Sequence, residues 1–350
     1  MRIVFLTFGD EQIASSRTRV FQYLPFLEKE NISYRILKTK CAIPVKSFFS
    51  AVKFRLSNAW IGLKLLLLTP FCEIIFMQKI SPPGFYLRLL RLLKCKLVFD
   101  FDDAIYTTPE PAEDANFSLV KKQNYSRFQA VVSMSDLVIL ENKFTEEYAK
   151  KYNTNTLRIT GPIDTERYFP VKNDSKISKK IVIGWIGSPA TTVYLGPILP
   201  VFENIACRYK NVRFKLIGAS PVSNPRIQIC QVPWSLETEV KELRGFDIGI
   251  MPLPDDEWTR GKGGYKLLQY MAMGIPSVAS PVGVNADLIQ NGFNGFLVKD
   301  ETEWYEKFSL LIDDSQRRIE LGMNARKLVE EKYSFHVAAP QLISKLHEII

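Results

Sequence analysis

The sequence predicts an α/β protein of two domains, each a parallel sheet covered by helices. Three observations lead there. Short apolar runs alternate with amphipathic stretches along the chain, the pattern of parallel strands joined through crossover helices. That rhythm is interrupted once, by the lysine-rich and almost apolar-free stretch 171–180, and then restarts. Finally, 350 residues exceed one ordinary core, whereas two domains of roughly 150–180 residues suit the length. The expected architecture is therefore two Rossmann-like βα domains facing across a cleft. Their boundaries are read as 1–170, a linker at 171–180, then 181–334, with a terminal amphipathic helix at 335–350 packing back toward the first domain.

Each element follows in order. Arg2–Thr7 is a short apolar run closed by Gly9-Asp10, which reads as a buried first strand and turn rather than a secretory signal. Ser33–Leu37, Ile74–Gln78, Lys96–Asp100, Leu137–Leu140 and Leu157–Thr160 complete the strands of the first domain. After the linker come Ile181–Ile186, Arg213–Ile217, Ile227–Gln231, Asp247–Met251 and Ser277–Ala279.

Composition narrows the class. With 46% hydrophobic and 24% charged residues the chain is globular. Five cysteines lie far apart without a Cys-x-x-Cys pair, so they read as buried small hydrophobes in a reducing cytosol. The most apolar stretch, Ala59–Phe71, contains Lys64 and is short of the ~20 residues a membrane crossing needs. A cytoplasmic protein is expected. The net charge of +9 is concentrated early: Arg17 to Lys96 holds fifteen Lys/Arg against Glu28, Glu30 and Glu73. Such an excess suits an anionic partner. Within it, 46–68 mixes Lys46, Lys53, Arg55 and Lys64 with Phe48, Phe49, Phe54 and Trp60. That is the mix of a basic amphipathic helix at an anionic membrane surface, or of a sheet-packed helix with solvated lysines. No nucleic-acid module accompanies the charge, so nucleic acid is not an expected partner.

Ligands of open α/β sheets bind beyond the carboxyl ends of the strands, so the loops there carry the candidate chemistry. After Ile181–Ile186, Gly187 and Ser188 lead toward Thr191 and a helix start, a turn whose N–H groups suit a phosphate or form an ordinary cap. Arg260-Gly-Lys262-Gly263-Gly264-Tyr265-Lys266 precedes a helix through Leu267, Leu268 and Met271. Cations at a helix start oppose its dipole unless an anion lies among them, so this loop suggests a diphosphate site. Asp100-Phe-Asp102-Asp103 allows a cleft role, a structural turn or a metal site. Ser15 or Ser16 is the expected N-cap of a helix beginning near Arg17 and Arg19, two cations again at the unfavourable end. A donor phosphate, a phosphate-linked acceptor, or pairing with Asp10 or Glu11 would satisfy them. Trp234 either contacts a base or packs on Leu236.

At the Arg260–Lys266 loop a resemblance becomes specific. Asp247-Ile-Gly-Ile-Met-Pro-Leu253, the Gly/Lys loop, Gln269-Tyr-Met-Ala-Met-Gly-Ile-Pro276, Ser280-Pro-Val-Gly283 and Asn291-Gly-Phe-Asn-Gly-Phe-Leu297 resemble the donor-binding core of glycosyltransferase family 4, of the GT-B fold. Gly161-Pro-Ile-Asp-Thr-Glu-Arg-Tyr-Phe-Pro170 is similar to the segment leading into that family's second domain. The resemblance covers residues 160–335 well and the first half loosely. It implies an acceptor-side first domain and a second domain that binds a nucleoside-diphosphate-sugar. Transfer would be of hexosyltransferase type, retaining and metal-independent, with no cofactor, to a glycan or lipid-linked acceptor in surface polysaccharide or envelope glycan synthesis. It would take place in the cytoplasm or at the inner face of the plasma membrane.

The resemblance also implies residue roles: Asp102, Asp103, Lys262 and Lys266 in catalysis; Gly187, Ser188, Thr191, Trp234, Arg260, Gly263, Gly264, Tyr265 and Gln269 on the donor. Arg17 and Arg19, from their place at a helix start, are assigned to the acceptor or a phosphate. The family's frequent glutamate pair is replaced by Gly261 and Gln269. A first-domain catalytic histidine, found in some relatives, has no counterpart, since His336 and His347 both lie near the end. The rival readings are a sugar-nucleotide epimerase of the same architecture and a non-catalytic nucleotide-sugar-binding partner.

Overall fold

The computed structural model describes residues 1–39, 59–82, 84–107, 115–170 and 180–350. It comprises two compact units. The first is Met1–Pro162 with Arg260–Gly263 and Phe335–Ile350; the second is Ile163–Thr259 with Gly264–Ser334.

The first unit holds a six-stranded parallel sheet: β1 (Arg2–Thr7), β2 (Ser33–Lys38), β3 (Ile74–Gln78), β4 (Lys96–Asp100), β5 (Leu137–Leu140) and β6 (Thr156–Arg158), ordered β2-β1-β3-β4-β5-β6. β3 and β5 are buried at every position, because helices cover both faces and no residue needs a solvent side. The period of two sorts the side chains. Val4, Leu6, Ile75, Met77, Leu97 and Phe99 pack on one face against Leu65, Leu87, Leu90 and Phe128. Ile3, Phe5, Ile74, Phe76 and Val98 pack on the other against Tyr23, Leu27 and the terminal helix Phe335–Glu348.

The second unit repeats the design with β7 (Ile181–Ile186), β8 (Val212–Ile217), β9 (Ile229–Val232), β10 (Ile248–Met251), β11 (Ser277–Ala279) and β12 (Gly295–Leu297), all parallel and ordered β12-β11-β10-β7-β8-β9. Ile183, Trp185, Ile248 and Ile250 face Phe202, Ile205, Phe308 and Leu311. Ile186 and Met251 join the opposite cluster with Leu267, Leu268, Met271 and Val329. Two parallel α/β sheets are therefore present, as the alternating pattern predicts.

Several local expectations need correcting. β12 escapes the hydropathy pattern because it is three residues long and begins on a glycine. β6 stops at Arg158 rather than Thr160, since the carbonyls of Ile159 and Gly161 accept from Arg19 Nη1 at 2.9 and 3.2 Å. The first helix is Ala14–Arg19, with Ile13 and not a serine at its N-cap. Arg17 and Arg19 thus lie in its last turn, the favourable end for cations. Ser16 instead turns its hydroxyl to Gln78 in the core. Of the cysteines described, Cys95 is buried and Cys72 partly so, whereas Cys207 and Cys230 are exposed. The linker segment 171–179 and residues 46–58 of the basic stretch lie outside the described residues.

Among the described residues of the first unit, Arg19 is heavily engaged. Its guanidinium is buried, pairs with Asp100 at 2.6 Å and Glu141 at 3.2 Å, and so ties the ends of β4, β5 and β6 to the first helix. The expected role of Arg19 at a phosphate is overturned, because two carboxylates and two carbonyls already take its donors. Arg19→Met leaves two buried carboxylates uncompensated and should lower unfolding stability by about 3–5 kcal/mol, measured as a shift in urea midpoint.

Candidate functional site

Topology selects the loops to inspect. In the second sheet the chain runs β7, β8, β9 to one side and then returns to lay β10 on the other side of β7. The switch point lies between β7 and β10, where the loops leaving two neighbouring strands diverge and open a crevice. In the first sheet the equivalent point lies between β1 and β3.

Beyond β7, Gly187 begins a turn into a 3-10 segment, Pro189–Ile198, rather than the expected α-helix. The Ser188 N–H donates to Thr191 Oγ1 at 3.2 Å, closing the turn. Lys266, in the first turn of the helix Tyr265–Ala272, brings its ammonium within 3.4 Å of Thr191 Oγ1 and 4.3 Å from the centre of the Trp185 ring. An indole face attracts a cation and holds it without neutralising it. Gly187 permits this arrangement. A Cβ there would lie 2.3 Å from the Trp185 ring and 2.8 Å from Lys266 Nζ. The expected residues Gly187, Ser188, Thr191 and Lys266 are therefore brought together at one strand end. Gly264 is the N-cap of the same helix, in the left-handed region at φ 71°, and Tyr265 is its half-buried first residue.

Trp234 and Gln269 are joined through two residues that sequence reasoning passed over. The Trp234 indole N–H donates to Glu239 Oε2 at 2.7 Å, and the Tyr168 hydroxyl donates to Glu239 Oε1. Gln269 Nε2 donates to Tyr168 Oη at 3.2 Å, and Arg167 Nη2 reaches Glu239 at 3.3 Å. Glu239 is buried and its charge is answered by three donors. Trp234 also packs on the surrounding apolar cluster. Nothing in spacing or composition distinguishes Glu239 from the other acids of its helix.

In the first unit the acidic loop beyond β4 closes on a cation that the sequence analysis did not single out. Lys79, immediately after β3, pairs with Asp102 at 2.6 Å and Asp103 at 2.7 Å. Burial works against its charge, but the two carboxylates outweigh burial and raise its pKa. Asp103 is held below its ordinary value: burial opposes this, and Lys79 and Lys262 together prevail. Asp100, by contrast, is committed to Arg19. Lys79 was findable, since it stands at a strand's carboxyl end.

Arg260–Gly263 belongs to this first unit. Asn142, which caps the helix Lys143–Ala149 through Thr145 N, donates Nδ2 to the carbonyls of Lys262 at 3.0 Å and Arg260 at 3.3 Å. Gly263 is required by proximity, because a Cβ there would fall 1.3 Å from Glu141 Oε2. The glycine expected to admit a phosphate is instead closed upon by a carboxyl group. Arg17 is buried, with Nη1 donating to the carbonyl of Glu11 at 3.0 Å. Lys262 and Lys266, expected to act as a pair, fall in different units.

These features define a class before any comparison is made: an α/β protein of two parallel sheets whose second unit gathers a lysine, hydroxyls and a glycine turn at its switch point. Residues 181–314, within the second unit, match the family described as glycosyl transferases group 1. The fold is the two-sheet GT-B architecture of glycosyltransferases. The chain superposes on Anabaena Alr3699/HepE in complex with UDP and glucose with a TM-score of 0.69 at 13% identity, covering 99% of each chain. On sucrose-phosphate synthase from Thermosynechococcus elongatus the TM-score is 0.74 at 15% identity, covering 100% of this chain and 99% of that one. In sequence it is 24% identical over 195 residues to the capsular polysaccharide biosynthesis glycosyltransferase CapM of Staphylococcus aureus, 51% of this chain and 48% of that protein. It is 30% identical over 77 residues to spore coat protein SA of Bacillus subtilis, 21% of this chain and 20% of that protein. The chain thus matches about half or less of the length of these curated relatives.

Glu141 generates a pH prediction. Burial raises its pKa well above the ordinary value; Arg19 opposes the rise, and Asp102, Asp103 and Asp100 add to it. Because the folded state binds this proton more tightly than the unfolded chain, its contribution is complete below the usual carboxyl range and is lost as pH rises through the raised value. Glu141→Gln should flatten that decline, measured as urea midpoints across a pH series.

Proposed function

We propose that this chain is a retaining glycosyltransferase that moves a sugar from a nucleoside-diphosphate-sugar to a glycan or lipid-linked acceptor in surface polysaccharide synthesis, without a metal or cofactor. The observation that carries this reading is the placement of Lys266 beside Thr191 and over Trp185 at the β7 switch point. The family match of residues 181–314 supports the activity. CapM supports the polysaccharide context, and the neighbour bound to UDP and glucose supports the donor class.

In this mechanism the glycosidic bond to the diphosphate lengthens through an oxocarbenium-like state, and the leaving diphosphate gathers negative charge. Lys266 and the N–H groups near Gly187 and Ser188 stabilise that charge where it develops. The acceptor hydroxyl attacks the same face, and its proton passes to the departing phosphate. Lys262, Arg260, Gly264 and Tyr265 are assigned to the phosphates and sugar, and Trp234 and Gln269 to the nucleoside. Asp102 and Asp103 are assigned to orienting the acceptor; their pairing with Lys79 supports this over metal binding, since an ammonium already occupies the position between them. The proposed setting is the cytoplasm. Among the described residues no helix is long and apolar enough to cross a membrane.

Lys266→Ala should cut turnover about a hundredfold or more, in line with the ~3 kcal/mol lost with one preorganised charge-stabilising group. Near-normal turnover would remove Lys266 from the mechanism. Thermal shifts against UDP-, GDP- and ADP-sugars should single out one donor, because a ligand specific to the folded state raises the melting temperature. Proton NMR of the product then reads the anomeric configuration. Conversion of the donor with no acceptor present would instead indicate epimerisation.

A further inference from the structure

The first unit carries an apolar surface that the transfer reaction does not use. The helix Gly84–Leu92 buries Leu87 and Leu90 in the core under one sheet face. Its outward residues remain apolar: Phe85 is 73% exposed and Leu92 77%, with Leu89 between them and Leu93 following. Positions 85, 89 and 92 fall on one side of a helix. Beside it, residues 59–68 form a second helix, joined by the Tyr86 hydroxyl donating to the Gly62 carbonyl. This helix and the turn after it expose Trp60, Leu63, Leu67 and Phe71. Leu65 sinks into the same core as Leu87 and Leu90, so both helices lie on one side of the sheet and their outer faces point the same way. Eight large apolar side chains turned to water on two adjacent helices exceed the scattered exposure expected of a soluble surface.

Charge selects the occupant. Arg88, Arg91 and Lys94 are exposed among these residues, and Lys64 lies over the Trp60 ring. Between positions 59 and 94 the sequence contains a single carboxylate, Glu73, which is held by Arg2. A second copy of the chain would bring these cations against their own counterparts. An anionic bilayer instead supplies headgroups for the cations and an acyl boundary for Phe85, Leu89 and Leu92.

We propose that the outer faces of helix Gly84–Leu92 and residues 59–71 form a peripheral docking surface for an anionic lipid bilayer. The apolar side chains enter the acyl boundary while the arginines and lysines remain at headgroup level. This goes beyond the transfer reaction and stands without it, since binding is read with neither donor nor acceptor present.

The test is flotation of the full chain with phosphatidylglycerol vesicles and, separately, phosphatidylcholine vesicles. Recovery with phosphatidylglycerol should exceed that with phosphatidylcholine at least tenfold and fall as salt is added. Leu89→Glu with Leu92→Glu should reduce it tenfold or more. Arg88→Gln with Lys94→Gln should reduce it about fivefold per cation, the equivalent of ~1 kcal/mol each. Ile319→Glu with Met323→Glu, on an exposed face of the second unit, should leave it unchanged. Circular dichroism establishes that each variant is folded, and the vesicle and salt comparisons on the unaltered chain test the surface even where a variant is not. Equal recovery on both vesicle types, or undiminished binding by the Leu89/Leu92 variant, would overturn the proposal. So would a dimer of the unaltered chain that this variant converts to monomer, which would make the face an interface between copies.

Discussion

Parallel strand pairing is the constraint from which the remaining features follow. Neighbouring parallel strands cannot be joined by a tight turn, so the chain must cross over between them, through a helix in most cases, although 218–228 between β8 and β9 hold none. The crossovers cover both faces, which is why β3 and β5 are buried at every position and β3 carries its one polar side chain, Gln78, at its carboxyl end. They also deliver every strand's carboxyl end to the same edge. Where the strand order reverses, between β7 and β10, adjacent loops diverge and leave room for a ligand. Gly187, Thr191 and Lys266 meet at this point because of that reversal.

At the corresponding edge of the first unit the available chemistry is turned inward. Asp100, Asp102, Asp103 and Glu141 confront Arg19, Lys79 and Lys262, so four carboxyls share three cations. Burial first, and then the neighbouring carboxyls, raise the affinity of Glu141 for a proton. Loop 260–263 joins this cluster through the Asn142 amide and the close approach of Gly263 to Glu141. Its glycines answer a packing demand within the first unit, which a reading of the loop as a phosphate cradle does not contain. In the second unit Glu239 has a comparable organising part, fixing Trp234 and Tyr168 through hydrogen bonds to a single buried carboxylate.

The paired sheets were legible because burial on both faces writes itself into composition: β1, β3, β4, β5 and β7 are predominantly apolar runs, with polar residues confined to strand ends. Loops at the strand ends were legible as candidates for the same reason, and Lys266 with Gly187 and Thr191 did meet. Partner choice was not legible. Arg17 and Arg19 looked like anion ligands because they were placed at the wrong end of a helix whose true limits, Ala14–Arg19, depend on where the chain turns into a 3-10 segment at Phe21. Lys79 and Glu141 sit in sequence 62 residues apart and acquire meaning only near the residues they face.

What the sequence determined by itself is the succession of strands and helices, the two-sheet α/β class, and the identity of the loops that carry glycines and cations. These follow from local periodicity, which neighbouring residues encode directly. Tertiary structure alone decided which polar groups meet: Arg19 with Asp100, Lys79 with Asp102 and Asp103, and Glu239 with the Trp234 and Tyr168 donors. Electrostatic pairing depends on distance in space and on burial, and strand order, which sets both, is not written in any local stretch of the chain.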